Sequence, residues 1–166
     1  VLAGDLIEFT QIAMVCKAGL VYVPINWRLK ASEITHIIND SGARVLFVDR
    51  EHVEVAREMK TEIPGVEHLI CINDSPEGMH NFDDLCASAS DEDPGVDVKE
   101  SDLLGIPYTS GTSALPKGVV RRHVDVIKSG VVQIVSARYN PNDVYLGVIP
   151  LFHVAMLHVQ FALYRV

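Results

Sequence analysis

The most informative stretch of this 166-residue chain is Tyr108-Thr109-Ser110-Gly111-Thr112-Ser113-Ala114-Leu115-Pro116-Lys117-Gly118. Its centre, Ser110 to Ser113, consists only of hydroxyl residues and glycine, and it follows an apolar segment that predicts a strand. Such a loop presents backbone N–H groups and hydroxyls that can converge on an anion. Lys117 adds a positive charge on a flexible stem, and Pro116 limits the conformations open to the unfolded loop. The pattern therefore predicts a phosphate-binding loop.

Two other interpretations of this loop compete with phosphate binding. The Walker A loop, GxxxxGK[ST], needs a second glycine where Pro116 stands and a hydroxyl residue where Gly118 stands, so a P-loop nucleotidase is disfavoured. An ordinary Ser/Thr/Gly turn fits the same residues, because these residue types are common in turns. The residues of the loop alone leave the turn and the phosphate site open.

Helix and strand patterns alternate on both sides of the loop. Segments near 5–19, 32–41, 51–62 and 125–139 predict helices, and residues 153–165 predict a further one. Short apolar runs predict strands at 21–25, 44–49, 68–72, 103–108, 119–121 and 144–151. This alternation predicts an α/β fold with a mostly parallel sheet flanked by helices.

Residues 73–101 differ from the segments around them. They contain two prolines, two glycines and the acidic run Asp91-Glu92-Asp93, a composition typical of a surface connection. One helical turn is expected near residues 82–87. Because the apolar pattern resumes directly after this segment, we interpret 73–101 as a surface insertion within one domain and not as a linker between two.

The charge of the chain limits the classes of ligand. Acidic residues outnumber basic ones by 22 to 14, which gives a net charge of −8. Such a surface disfavours nucleic acid and anionic lipid as partners, because phosphate contacts require Lys and Arg. A phosphate ligand therefore has to be held by a local motif. No apolar run reaches the roughly 18 residues that a membrane-spanning helix needs.

The cysteines indicate the compartment. Cys16, Cys71 and Cys86 are odd in number, lie far apart and form no CxxC pair. Free thiols of this kind are expected in a reducing cytoplasm. The sequence also contains no metal-ligand pattern, since His153 and His158 lack the HExxH arrangement of a zinc site.

The loop closely resembles the signature Tyr-Thr-Ser-Gly-Thr-Thr-Gly-x-Pro-Lys-Gly of the acyl-adenylate-forming (AMP-binding) superfamily. Ser113 stands for the second threonine of the signature and keeps a hydroxyl, whereas Ala114 stands for a glycine. If that position needs a positive φ, the Cβ of Ala114 costs about 1 kcal/mol. The other fixed positions match.

Three further segments resemble the same superfamily, in the same order along the chain. Lys17 to Leu29 resembles its early passage from helix to strand, and Glu33 to Asp49 continues the match. Pro150-Leu151-Phe152-His153 resembles its substrate-side motif, although Met156 stands where that motif has glycine. The resemblance therefore extends over nearly the whole chain, and Asn26 to Leu29 is most similar to fatty-acyl and related acyl-CoA synthetases.

The resemblance implies ATP-dependent activation of a carboxylic acid, with a fatty acid expected, to acyl-AMP, followed by transfer to coenzyme A. It implies ATP, Mg²⁺ and coenzyme A as cofactors or co-substrates, and it assigns no catalytic or metal-binding residue within this chain. It implies that His153 lines the acyl-adenylate pocket, with a buried structural histidine as the alternative. The residues implied to bind the β- and γ-phosphates are Thr109, Ser110, Gly111, Thr112, Ser113 and Lys117.

The resemblance also implies the domain organisation. Residues 1–166 are expected to be a partial N-terminal (AMP-binding) domain, without the small C-terminal domain and its catalytic lysine. The chain alone is then expected to be inactive, and oligomers are possible. The alternative is a non-catalytic nucleotide-binding or interaction module derived from that fold. The sequence does not determine the acyl chain length, because most of the acyl pocket would lie beyond Val166.

Overall fold

The computed structural model describes residues 17–109, 115–144, 146, 148–150 and 152–153. Four predicted features lie partly or wholly outside these residues: the helix near 5–19, the loop centre Ser110–Ala114, the strand at 144–151 and the helix at 153–165. The elements below are those of the described residues.

A three-stranded parallel sheet forms the first layer of the structure. Strand β1 (Val45–Asp49) pairs with β2 (His68–Ile72) from Val45 opposite His68 to Asp49 opposite Ile72. Strand β3 (His80–Asn81) extends the sheet in parallel, with Ile70 opposite His80. Parallel strands need crossover connections; helical turns supply most of the connection from β1 to β2, whereas residues 73–79 connect β2 to β3 without a helix.

Helices cover both faces of this sheet. Helix α1 (Ala31–Ser41) and helix α2 (Val53–Met59) pack over the face that carries Leu46 and Val48. On the opposite face, Phe47 meets Phe82 of helix α3 (Phe82–Ser88) edge to face, at 6.2 Å between ring centroids. Alternate side chains of a strand point to opposite faces, so one short strand serves both layers. The predicted fold class, α/β with a mainly parallel sheet flanked by helices, is confirmed.

The core is concentrated beneath α1. Helix α1 contributes three side chains at helical spacing, Ile34, Ile37 and Ile38, and each of them is at most 2% exposed. The Glu33 carboxylate accepts a hydrogen bond from the Lys30 N–H at the start of α1, and Gly42 ends the helix with φ of 67°. The buried cluster consists of Ile25, Ile34, Ile37, Ile38, Leu46, Val48, Val53, Ala56, Met59, Ile63 and Cys71.

A second group of strands lies beyond the sheet and carries the loop. Strand β4 (Leu103–Gly105) pairs antiparallel with β7 (Arg121–Arg122), and β5 (Tyr108–Thr109) pairs antiparallel with β6 (Lys117–Gly118). Helix α4 (His123–Ala137) follows β7 directly. The predicted strand 103–108 is therefore two short strands in one stretch of chain. Pro107 lies between them and has no N–H to donate to a ladder.

Two further strand predictions were wrong. Residues 21–25 contribute only one bridge, in which Tyr22 lies parallel to Gly105. The described residues of 144–151 form no strand, and Val144, Leu146 and Val148 are 98%, 79% and 75% exposed. Apolar runs form strands only where a neighbouring strand accepts their hydrogen bonds, and none of the described strands pairs with this segment.

Residues 73–101 contribute to the sheet as well as to the surface. They include β3 and α3, and Asn81 caps α3 by accepting a hydrogen bond from the Asp84 N–H at 2.8 Å. From residue 83 to residue 97 every residue is exposed. In the described part of the chain, no helix is long and apolar enough to cross a membrane.

Candidate functional site

The β5–β6 pair brings the two ends of the predicted phosphate loop together. Thr109 lies opposite Lys117 and Tyr108 lies opposite Gly118 in the antiparallel register. The Thr109 hydroxyl donates to the Lys117 carbonyl oxygen at 3.5 Å. The Lys117 side chain is exposed, and among the described residues it forms no ion pair. The predicted binding residues Ser110, Gly111, Thr112 and Ser113 lie outside the described residues.

Glycine at position 118 has a packing reason. A Cβ built on Gly118 would lie 2.8 Å from Cγ2 of Ile106 and 3.0 Å from Cζ of Tyr108. Real Cβ atoms essentially never approach a neighbour below 3.0 Å. Strand β6 can therefore lie against the Tyr108 ring only because this residue has no side chain.

Helix α1 contacts both ends of the loop. The Tyr108 hydroxyl donates to Oδ2 of Asp40 at 2.6 Å, just before the loop. Nε2 of His36 lies 3.1 Å from the carbonyl oxygen of Pro116, just after the loop. Because a carbonyl oxygen only accepts, the His36 ring must donate through Nε2 here. The Tyr108 ring also packs against the buried cluster beneath α1.

The environment of Tyr108 alters its ionisation. Burial is the main cause that raises the pKa of the Tyr108 phenol, and the hydrogen bond to Asp40 and the charge of that carboxylate raise it further. All three causes disfavour the phenolate, because burial removes water from the charged form and a phenolate would place a second negative charge beside Asp40. Tyr108 therefore remains a hydrogen-bond donor well above neutral pH.

We expect Tyr108 to ionise above the ordinary tyrosine pKa of about 10. The measurement is the difference between alkaline absorbance titrations of the parent protein and its Tyr108→Phe variant. A group whose pKa is raised on folding contributes stability that is fully present below the unfolded pKa and is lost as pH rises through the folded one. A difference titration centred at or below pH 10 would contradict the raised pKa.

A cavity of about 570 Å³ lies between the loop ends and the chain that follows Tyr22. Thr109 and His153 both line this cavity, although they are far apart in the sequence. His153 is exposed, and its N–H donates to the Pro150 carbonyl oxygen at 3.0 Å. The cavity is lined by Pro24, Asn26, Leu29, Ile37, Pro107, Tyr108, Thr109, Pro116, Val119, Arg121, Phe152 and His153.

The cavity combines an apolar wall with a few polar groups. Prolines together with aliphatic and aromatic side chains supply most of the lining, whereas Asn26, Thr109, Arg121 and His153 supply polar atoms. Arg121 is half-buried and adds positive charge close in sequence to Lys117. Binding sites for small molecules usually have this mixture of apolar surface and a few oriented polar groups.

Sequence reasoning missed four residues of this region: Asn26, His36, Asp40 and Arg121. His36 and Asp40 are separated by one helical turn, and that spacing was a signal that they share a face of α1. No sequence signal indicated that this face meets the loop. Among the described residues, no group of three or more His, Cys, Asp or Glu side chains could hold a metal ion.

Comparison with known proteins gives consistent matches. A family model described as "AMP-binding enzyme" matches residues 7–165. The chain is 31% identical over 147 residues to a 4-hydroxybutyrate–CoA ligase of Metallosphaera sedula, covering 83% of this chain and 27% of that protein. It is 42% identical over 108 residues to a fatty acid–[acyl-carrier-protein] ligase of Streptomyces coeruleorubidus, covering 64% of this chain and 19% of that protein.

The structural comparison agrees with the sequence matches. A crystal structure of a long-chain-fatty-acid–CoA ligase from Archaeoglobus fulgidus superposes with a TM-score of 0.89 at 26% identity. That match covers 99% of this chain and 32% of the other. The chain thus spans between about a fifth and a third of the length of these similar proteins.

Proposed function

The chain belongs to the AMP-binding enzyme family, and from this premise we propose that its protein activates a carboxylic acid with ATP and transfers the acyl group to coenzyme A. The observation that carries the proposal is the β5–β6 pair, which joins Thr109 to Lys117 and so closes the signature loop beside a cavity. The loop would hold the β- and γ-phosphates of ATP, with Thr109, Ser110, Gly111, Thr112, Ser113 and Lys117.

The proposed reaction has two steps. A carboxylate oxygen attacks the α-phosphorus of ATP, and the bond from that phosphorus to pyrophosphate breaks, which gives acyl-AMP. The thiol of coenzyme A then loses its proton to solvent, its sulfur attacks the acyl carbon, and AMP leaves with the electron pair of the broken C–O bond. Lys117 would stabilise the negative charge that gathers on pyrophosphate in the first step, while Mg²⁺ would accompany the nucleotide. No described residue is assigned as a proton acceptor.

The proposed acid is a fatty acid, although its chain length stays open. The mainly apolar lining of the cavity favours an apolar acyl group over a charged one. His153, which lies on the same cavity, is proposed to contact the acyl-adenylate. The similar proteins act, by their names, on 4-hydroxybutyrate and on fatty acids, and one of them transfers to an acyl-carrier protein.

The proposed domain organisation follows from the partial match. We propose that residues 1–166 are part of an N-terminal domain, that 73–101 is a surface insertion in it, and that the catalytic lysine lies in a further domain. We also propose a cytoplasmic location, where free thiols such as the exposed Cys86 persist.

The test is product formation by the complete protein that contains this chain. With ATP, Mg²⁺, coenzyme A and a panel of fatty acids, we expect AMP and acyl-CoA to accumulate in equal amounts. We expect the 166-residue chain alone to show no turnover above a buffer blank. If the complete protein binds ATP but no acid of the panel leads to AMP formation, the non-catalytic nucleotide-binding module is the correct interpretation.

A further inference from the structure

The loop ends are held by contacts that come from outside the loop and far away in the sequence. Asp40 lies 68 positions before Tyr108, and His36 lies 80 positions before Pro116. These two contacts bracket residues 109–115, which contain most of the signature. The residues of α1 do not belong to the signature itself.

The β5–β6 pair is too short to hold this geometry alone. Each strand has two residues, so the ladder fixes only two residue pairs. An isolated two-stranded hairpin is marginally stable in water. Additional contacts must therefore determine where the loop ends lie.

Helix α1 can supply that fixed position because its own placement is secured. Ile34, Ile37 and Ile38 are buried in the core, and interiors of this kind are close-packed and resist displacement. The side chains of His36 and Asp40 thus extend from a rigid element.

We propose that Asp40 and His36 are positioning residues for ATP, which hold the two ends of the phosphate loop at the spacing that the nucleotide requires. Neither side chain needs to touch the nucleotide. The inference rests on the proposed function, because it assigns these residues to the same ATP site. Loss of either contact would increase the number of loop conformations that ATP binding must restrict, so ATP affinity would fall while the chemical step continues.

The experiment compares Asp40→Ala, Asp40→Asn, Tyr108→Phe and the double variant Asp40→Ala/Tyr108→Phe in the complete protein. We expect Asp40→Ala and Tyr108→Phe each to raise the KM for ATP about three- to tenfold, in line with the loss of one partly exposed hydrogen bond. We expect kcat and the KM for the acid to change by less than about twofold. Asp40→Asn keeps an oxygen that accepts from Tyr108 and should recover most of the ATP affinity.

The double variant and the matched control separate positioning from general stability. If the two residues act through one hydrogen bond, the effects of the two substitutions should not add. The double variant should then bind ATP no more weakly than the single variant with the lower ATP affinity. The control is Asn39→Ala, the neighbouring position on α1, which removes the hydrogen bond to Glu62 and leaves the loop contacts in place. It should lower the unfolding midpoint without changing the KM for ATP.

The outcomes distinguish this inference from the proposed function. If Lys117→Ala weakens ATP binding while Asp40→Ala and Tyr108→Phe leave the KM for ATP unchanged, the positioning role is wrong and the proposed function stands. An equal rise in KM with Asn39→Ala would also refute it, because α1 would then act only through stability. If the parent protein forms no AMP, dissociation constants for ATP measured by calorimetry replace KM and decide the positioning role independently.

Discussion

Replacing Lys117 with alanine is expected to lower kcat/KM for ATP in the complete protein by roughly ten- to a hundredfold. The reason is the charge-assisted contact between an ammonium group and phosphate, which contributes about 1.5–3 kcal/mol. Strand β6 places Lys117 opposite Thr109 at the end of the loop, where the proposed contact with phosphate would form. In the described residues its charge is not used in an ion pair. The measurement is the initial rate at varied ATP with acid and coenzyme A held constant.

Lys60→Ala is the matched control for this variant. Lys60 is also exposed, but it lies at the C-terminal end of α2, which makes its main contacts with α1 and with β1 of the parallel sheet. We expect its kcat/KM to stay within about twofold of the parent. Equal activities of the Lys117→Ala variant and the parent would show that the loop does not bind ATP through this residue, and the proposed function would lose its main support.

Replacing Gly105 with alanine is expected to destabilise the fold by about 1–3 kcal/mol or more, the range found for overpacked interiors. A Cβ at this buried position would lie 2.7 Å from the backbone carbonyl oxygen of Tyr22. That oxygen accepts a hydrogen bond from the Ile106 N–H at 2.9 Å, and the Tyr22 N–H donates one to the Leu104 carbonyl oxygen at 2.9 Å. Backbone atoms cannot move aside as a side chain can, so the bridge must open. Urea unfolding of the two proteins should show a lower midpoint for the variant.

Gly65→Ala is the control for the Gly105 prediction. At Gly65 the nearest atom to a new Cβ is the Ala43 carbonyl oxygen at 4.0 Å, and no positive φ disfavours alanine there. Alanine restricts the unfolded chain more than glycine does, so we expect no loss of stability or a gain of about 0.4–1 kcal/mol. If Gly105→Ala had the same unfolding midpoint as the parent and as Gly65→Ala, the result would contradict the close approach of Tyr22 to Gly105.

Much of the fold could be predicted because the relevant signals are local. The helix predicted near residues 32–41 is α1, because the helical spacing of Ile34, Ile37 and Ile38 and the helix end at Gly42 depend on backbone geometry within a few residues. The runs at 44–49 and 68–72 predicted β1 and β2 for the same reason. The loop signature predicted the family from consecutive residues, and the family match over residues 7–165 confirms that prediction, whereas the phosphate-binding role of the loop stays a prediction.

Strand pairing was less predictable, because it depends on partners that are distant in the sequence. The segment 144–151 has the apolar residues of a strand, yet its described residues have no strand beside them. The run 103–108 looks continuous, but Pro107 divides it and each half takes a different antiparallel partner. Local composition indicates that a segment can form a strand, but it does not indicate which strand will pair with it.

The sequence by itself therefore determined the family signature, the helix α1 and the alternation of helices and strands, all of which depend on residue types and spacing within one stretch of chain. Only the tertiary structure revealed that α1 meets the loop, with Asp40 at Tyr108 and His36 at Pro116. It also placed His153 on the same cavity as Thr109. These contacts depend on how separate layers pack against each other, and no periodicity along the chain records that arrangement.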